Sequence, residues 1–192
     1  MLEERIKKII ENTKAERISR ELLFDGGFIK VFKEEYRLPD GRVITKQVVS
    51  KNGGKPAAII AVRTVDDKFL LVFQNRVDNI VSCEFPSGYI EDGEDPIVGA
   101  LREVKEETGY VSTDARILDE FISSIGTEST KIYIIFVDNA KKESSQELDK
   151  DEFINYEEFN FEELTYLVNN NFIQSSSNKL AYYHIKDIIQ KK

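Results

Sequence analysis

The chain has 192 residues, 41% of them hydrophobic, with 27 Lys and Arg against 35 Asp and Glu and a formal charge of -8. That is enough apolar material for a domain-sized core, and the acidic balance argues against a duplex nucleic-acid binder, which carries the opposite sign. One cysteine, Cys83, excludes an internal disulfide, Cys83 and the lone His184 are too few for a structural zinc site, and a histidine-activated nucleophile finds little support because only that late histidine could serve it.

In chain order, Leu2, Ile6, Ile9 and Ile10 fall at helical spacing and predict a short amphipathic helix. This start is too charged for a secretory signal, and no run reaches the length of a membrane span, so the expectation is a cytoplasmic protein with no membrane partner. The stretch GGFIKVFKEEYRLPDGRVITKQVVS predicts two strands around a turn at 38–41. AAIIAVRTVDDKFLLVF repeats that design with Asp66-Asp67 at the turn, and ARILDEFIS and KIYIIFV are further strands. Residues 140–152 form a polar loop. Asn160, with Glu163 three residues later, is a capping-box pattern that starts a helix, and NKLAYYHIKDIIQ predicts the last one. Strands outnumber helices, which predicts an α+β or α/β/α domain with a mixed sheet.

The helix that interrupts the strands carries the chemistry. Asp95 suits its N-cap, Pro96 its first position and Gly109 its stop. Ile97, Ala100, Leu101, Val104 and Thr108 make one apolar stripe, while Glu103, Glu106 and Glu107 share a separate arc of about 100°. Like charges so close repel. An arbitrary acidic run is usually only a solvated face, but this one belongs to a spaced pattern of Gly88, Glu94, Arg102-Glu103, Glu106-Glu107 and Gly109. Seven fixed residues at roughly 7% each match by chance in about one in a million chains of this size.

This pattern resembles the signature of the Nudix hydrolases, which cleave a nucleoside diphosphate linked to another group. The resemblance implies a Nudix-type α/β/α sandwich with a mixed β-sheet and an N-terminal β-hairpin extension. It implies that Mg²⁺, or Mn²⁺, is held by Glu103 and Glu107 with help from Glu106 and the Ser87 carbonyl, while Arg102 and Glu94 orient the cluster. Tyr110 departs from the usual aliphatic residue just past the helix.

Over roughly residues 27–185 the chain is similar to the ADP-ribose pyrophosphatase branch, through FQNRVDNIVSCEFPSGYIEDGED, RLPDGRVITKQVVSKNGG and the C-terminal segment from Asp151. That similarity implies ADP-ribose or a close relative as the nucleoside diphosphate substrate. It also implies a homodimer, with residues 1–55 as the dimerisation element and 56–192 as the hydrolase domain. Arg76 corresponds to a phosphate-contacting arginine, and Tyr89 joins it as a substrate-binding candidate. Lys46-Gln47 stands where the branch often has Arg-Glu near the nucleobase, and Phe28 is positioned to stack on a base or to fill a core. In SSIGTESTK, Ile125 replaces a proline common in the branch, while Gly126 and Glu128 remain. Glu128 is the candidate general base, Glu152 its substitute. The alternatives are another nucleotide sugar or dinucleotide, or a non-catalytic nucleotide-sensing module, which should have lost the carboxylates. Gly53-Gly54-Lys55 lacks the rest of a phosphate loop, Cys83 reads as a small buried hydrophobe, and His184 has no catalytic task.

Overall fold

The computed structural model describes residues 1–150 and 152–190 and divides into two compact units. The first comprises Met1–Gly54 with Ser124–Thr130, the second Lys55–Ser123 with Lys131–Lys192. The segment 124–130 joins the N-terminal unit, where the Val49 amide donates to the Thr127 carbonyl at 2.8 Å.

The first unit holds helix α1 (Leu2–Thr13) and an antiparallel sheet of β1 (Glu16–Asp25), β2 (Ile29–Arg37) and β3 (Val43–Lys51), in that order. The expected hairpin is β2–β3, closed at Leu38–Gly41 by the Gly41 amide on the Leu38 carbonyl at 2.9 Å. The additional strand β1 was not foreseen. All ten of its residues are exposed, so no alternation into a core marks it in the sequence. The stripe of α1 is likewise uncovered, with Leu2, Ile6, Ile9 and Ile10 between 45% and 64% exposed.

The second unit is a mixed sheet covered on both faces. Its central pair, β4 (Ala57–Thr64) and β10 (Lys131–Lys142), is parallel, with Ile60 opposite Ile135. Antiparallel partners extend it: β5 (Phe69–Asn75) and β7 (Ser87–Tyr89) on β4, β6 (Val81–Glu84) and β11 (Ile154–Phe159) on β5, β8 (Tyr110–Val111) and β9 (Asp114–Ile122) on β10. Strand β4 buries both faces because alternate residues point opposite ways. Ala58, Ile60 and Val62 pack with Ala100 and Val104 of helix α2 (Pro96–Thr108), whereas Ile59 and Ala61 pack with Leu164 of α3 (Phe161–Asn169) and Ala181, Tyr182 and Ile185 of α4 (Ser176–Gln190). This is the α/β/α sandwich.

The local signals act as expected. Asn160 accepts from the Glu163 amide at 2.9 Å while Glu163 accepts from the Asn160 amide at 2.8 Å, a reciprocal cap worth about 1 kcal/mol. Tyr110 fits the core despite its size: it is 9% exposed, edge-on to Tyr156, and its hydroxyl donates to Glu158 at 2.5 Å. Cys83 is buried and free. On the far side of the sheet, the buried Asn178 accepts from the Phe85 amide at 2.7 Å, which anchors the chain just ahead of β7.

Candidate active site

Helix α2 begins as its sequence dictates. The Asp95 carboxylate accepts from the Ile97 and Val98 amides, and Pro96 occupies the first turn, where its missing N–H costs nothing. It ends at Gly109, whose φ of 69° lies in the left-handed region.

One arginine ties this helix to the turn before it. Arg102 donates through Nε and Nη2 to Glu94 at 3.2 Å each, through Nη2 to the Tyr89 carbonyl at 3.2 Å, and through Nη1 to Glu103 at 2.8 Å and Glu106 at 2.9 Å. Glu94 also accepts from the Glu91 amide at 2.9 Å, and the Arg102 bond holds its carboxyl below the usual carboxylate range. The spacing of Glu94 and Arg102 therefore brings turn and helix together around a single guanidinium.

Gly88 has a different reason to be glycine. A Cβ there would overlap the Glu103 carboxyl group, so the acid is seated directly against the β7 backbone. Glu107, which the helical arc suggested was beside Glu103 on an open face, is sunk further. It is 3% exposed, and its Oε2 accepts from the Ser87 amide at 3.2 Å. Burial raises Glu103 to about 7 despite Arg102, with Glu106 and Glu152 adding to the rise. Burial also raises Glu107 to about 8, against the Ser87 bond, with the Glu103 and Glu152 charges adding and Arg76 opposing. Both Arg76 and Glu152 thus act electrostatically on this cluster. Arg76 is held by Glu84, Nη2 to Oε2 at 2.5 Å. Glu152 is exposed and accepts from the Asp149 amide at 3.2 Å.

The remaining candidates are in the N-terminal unit. Lys46 and Gln47 are exposed on β3, with the Lys46 ammonium 5.5 Å from the Tyr36 ring centroid. Phe28 is 53% exposed and fills no core. Glu128 is not the exposed loop charge its sequence context suggests: it is 7% exposed and pairs with Lys51 at 3.0 Å. His184 pairs with Asp119 at 3.0 Å on the surface of the second unit, and Gly53 and Gly54 form a short turn whose neighbour Lys55 pairs with Glu91.

Among the described residues, no three acidic, histidine or cysteine side chains already stand as a cation cage. The cause is visible: Arg102 draws Glu103 and Glu106 to itself while Glu107 turns to the Ser87 amide. The donor chemistry nonetheless fits a hard divalent cation. All donors are oxygens, and burial pushes the Glu103 and Glu107 carboxyls up to about 7 and about 8.

The family model for the NUDIX domain matches residues 54–179. The ADP-ribose pyrophosphatase of Bacillus subtilis (strain 168) is 29% identical over 178 residues, 90% of this chain and 94% of that protein. The methanol dehydrogenase activator of Bacillus methanolicus is 32% identical over 179 residues, 91% of this chain and 95% of that protein. A crystal structure of an ADP compounds hydrolase superposes with a TM-score of 0.82 over 93% of this chain and 95% of that one; at 20% identity this is a likeness of fold. The family match covers more than half of the chain and takes in the whole carboxylate helix with its Gly88 seat, and the chain therefore belongs to the Nudix hydrolase family.

Proposed function

We propose that this protein hydrolyses the diphosphate bond of a nucleoside diphosphate derivative, ADP-ribose foremost, to AMP and ribose 5-phosphate. The observation that carries the reading is the placement of Glu103 and Glu107, the first half-buried against the Gly88 backbone and the second buried on the Ser87 amide, one helical turn apart on the same helix. Bound there, Mg²⁺, or Mn²⁺ in its place, supplies diphosphate neutralisation and a more acidic water. Glu103 and Glu107 hold the cation, Glu106 and the Ser87 carbonyl assist, and Arg102 with Glu94 keeps the helix and turn in register. Arg76, released from Glu84, binds phosphate, and Tyr89 is a further substrate-side candidate on the strength of the family resemblance. Phe28, Lys46 and Gln47 are nucleoside-side candidates on the strength of the family resemblance.

The water needs a proton acceptor that the cation does not occupy. Glu128 fills that role if its loop delivers it as a lid. Glu152 fills it from the same unit as the helix, and the effect of its charge on Glu103 and Glu107 supports it. The full name of the Bacillus subtilis relative supports ADP-ribose as the first substrate. The Bacillus methanolicus relative bears an activator's name, and the present reading requires turnover with no dehydrogenase present.

The test is a panel of nucleoside diphosphate derivatives with Mg²⁺ or with EDTA, products identified by mass. Metal-dependent release of AMP from ADP-ribose is expected; no turnover of any diphosphate at saturating Mg²⁺ overturns the reading. The protein is further proposed to be a cytoplasmic homodimer joined through residues 1–55, next to a hydrolase domain of 56–192. The uncovered α1 stripe supports the dimer, and a monomer mass by light scattering at micromolar protein would exclude it. No helix among the described residues is long and apolar enough to cross a membrane.

A further inference from the structure

The last carbonyls of a helix have no partners within it. In α2 this end holds the acids, and something else answers its carbonyls. The Glu147 amide donates to the Glu106 carbonyl at 2.9 Å, Gln146 Nε2 to the Glu107 carbonyl at 2.6 Å, and Lys142 Nζ to the Thr108 carbonyl at 2.5 Å. The Glu143 and Ser144 amides both donate to the Gly109 carbonyl, at 3.0 and 3.1 Å. Four consecutive carbonyls, 106 to 109, are thus held by the single segment 142–147. Gly109 permits the approach, since a Cβ there would overlap the Ser144 carbonyl.

We infer that segment 142–147 is a clasp that sets the depth of the Glu106 and Glu107 carboxylates, with Gln146 as its central positioning residue. Gln146 Nε2 also donates to the Ile154 carbonyl at 2.9 Å, so one amide group ties the main chain of Glu107 to the start of β11. Its chemistry suits the place. A carboxamide offers two N–H donors without charge, whereas a lysine or arginine there would set a second cation beside acids that are to hold a metal. Lys142 stays one residue further on, its ammonium on the Tyr156 hydroxyl at 2.5 Å and over the Tyr156 ring at 4.5 Å. A cation at that end also complements the helix dipole.

The inference rests on the metal-binding reading of α2, and Mn²⁺ alone is the probe. Titrating Mn²⁺ into wild type by calorimetry should show binding, and Gln146→Ala should weaken it about 10- to 100-fold, as loss of an outer support does. The control is Asn160→Ala, which removes the α3 cap and should lower the melting temperature while leaving Mn²⁺ affinity within twofold of wild type. A Gln146→Ala affinity within twofold of wild type, or an equal loss in both variants, overturns the clasp. No binding by wild type overturns the metal reading itself. Should Gln146→Ala fail to fold, hydrogen exchange on wild type decides. Because coupling is reciprocal, Mg²⁺ should slow exchange of the Glu147 amide more than that of the Glu163 amide; equal changes count against the clasp.

Discussion

Two glutamates in this protein are almost equally buried and have opposite surroundings. Glu34, 2% exposed on β2, faces Arg17 Nη1 at 3.0 Å, Arg20 Nε at 3.3 Å and the Tyr36 hydroxyl. Glu107, 3% exposed on α2, has one backbone amide as hydrogen-bond partner, with the negative charges of Glu103 and Glu152 only partly offset by Arg76. A buried carboxylate is tolerated when paired and hydrogen-bonded, and it is otherwise costly. The first acid is therefore complete within the fold. The second lacks such pairing within the fold, and on the proposed function a bound cation would supply it, which would separate an acid that builds structure from one reserved for function.

The largest effect that sharpens this contrast is expected from Glu107→Gln, with ADP-ribose turnover falling to near background at limiting Mg²⁺. The same change should stabilise the metal-free protein. The folded Glu107 carboxyl titrates at about 8, above its ordinary 4.5. Its contribution is therefore fully favourable below about 4.5 and is lost as pH rises through about 8. Gln cannot suffer that loss. The melting-temperature advantage of the variant should grow from pH 5 to pH 9 in EDTA, and a flat or reversed difference would break the comparison.

The base assignment comes next in size. Replacing the true base by Gln should lower kcat by about 10²–10⁴ with little change in metal affinity. Glu152→Gln with this loss, beside Glu128→Gln near wild type, assigns the base to the loop before β11. The reverse result assigns it to the 124–130 loop and gives the Glu128–Lys51 pair a holding role in the resting state.

Gly88→Ala tests the seat of Glu103. Its Cβ must displace that carboxyl, so Mn²⁺ affinity should drop about 10- to 100-fold, and unchanged affinity would mean that the seat has no part in metal binding. The smallest effect is on the structural acid. Glu34→Gln removes a charge partner from two arginines that are about half exposed, so about 1–2 kcal/mol is expected. A melting temperature lower by about 2–8 °C, with kcat unchanged, fits; a rise on the scale of Glu107→Gln would erase the distinction between the two acids.

Much of this was legible in the sequence because it depends on neighbours in the chain. Asp95, Pro96 and Gly109 bound α2, Asn160 and Glu163 begin α3, and Asp66-Asp67 turns β4 into β5, all through contacts a few residues long. The spacing from Gly88 to Gly109 likewise announced a carboxylate helix, and with it the family. What the chain order could not convey was depth and partnership. Helical periodicity set Glu103 and Glu107 on one arc, but only β7 packed alongside makes one a seated acid and the other a buried one. Strand β1 was invisible because it faces no core, and Glu128 read as a surface charge although the fold buries it and pairs it with Lys51. The clasp on α2 joins residues 106–109 to 142–147 across more than thirty positions of chain. Backbone conformation answers to adjacent residues, whereas burial and pKa answer to whatever the folded chain brings alongside.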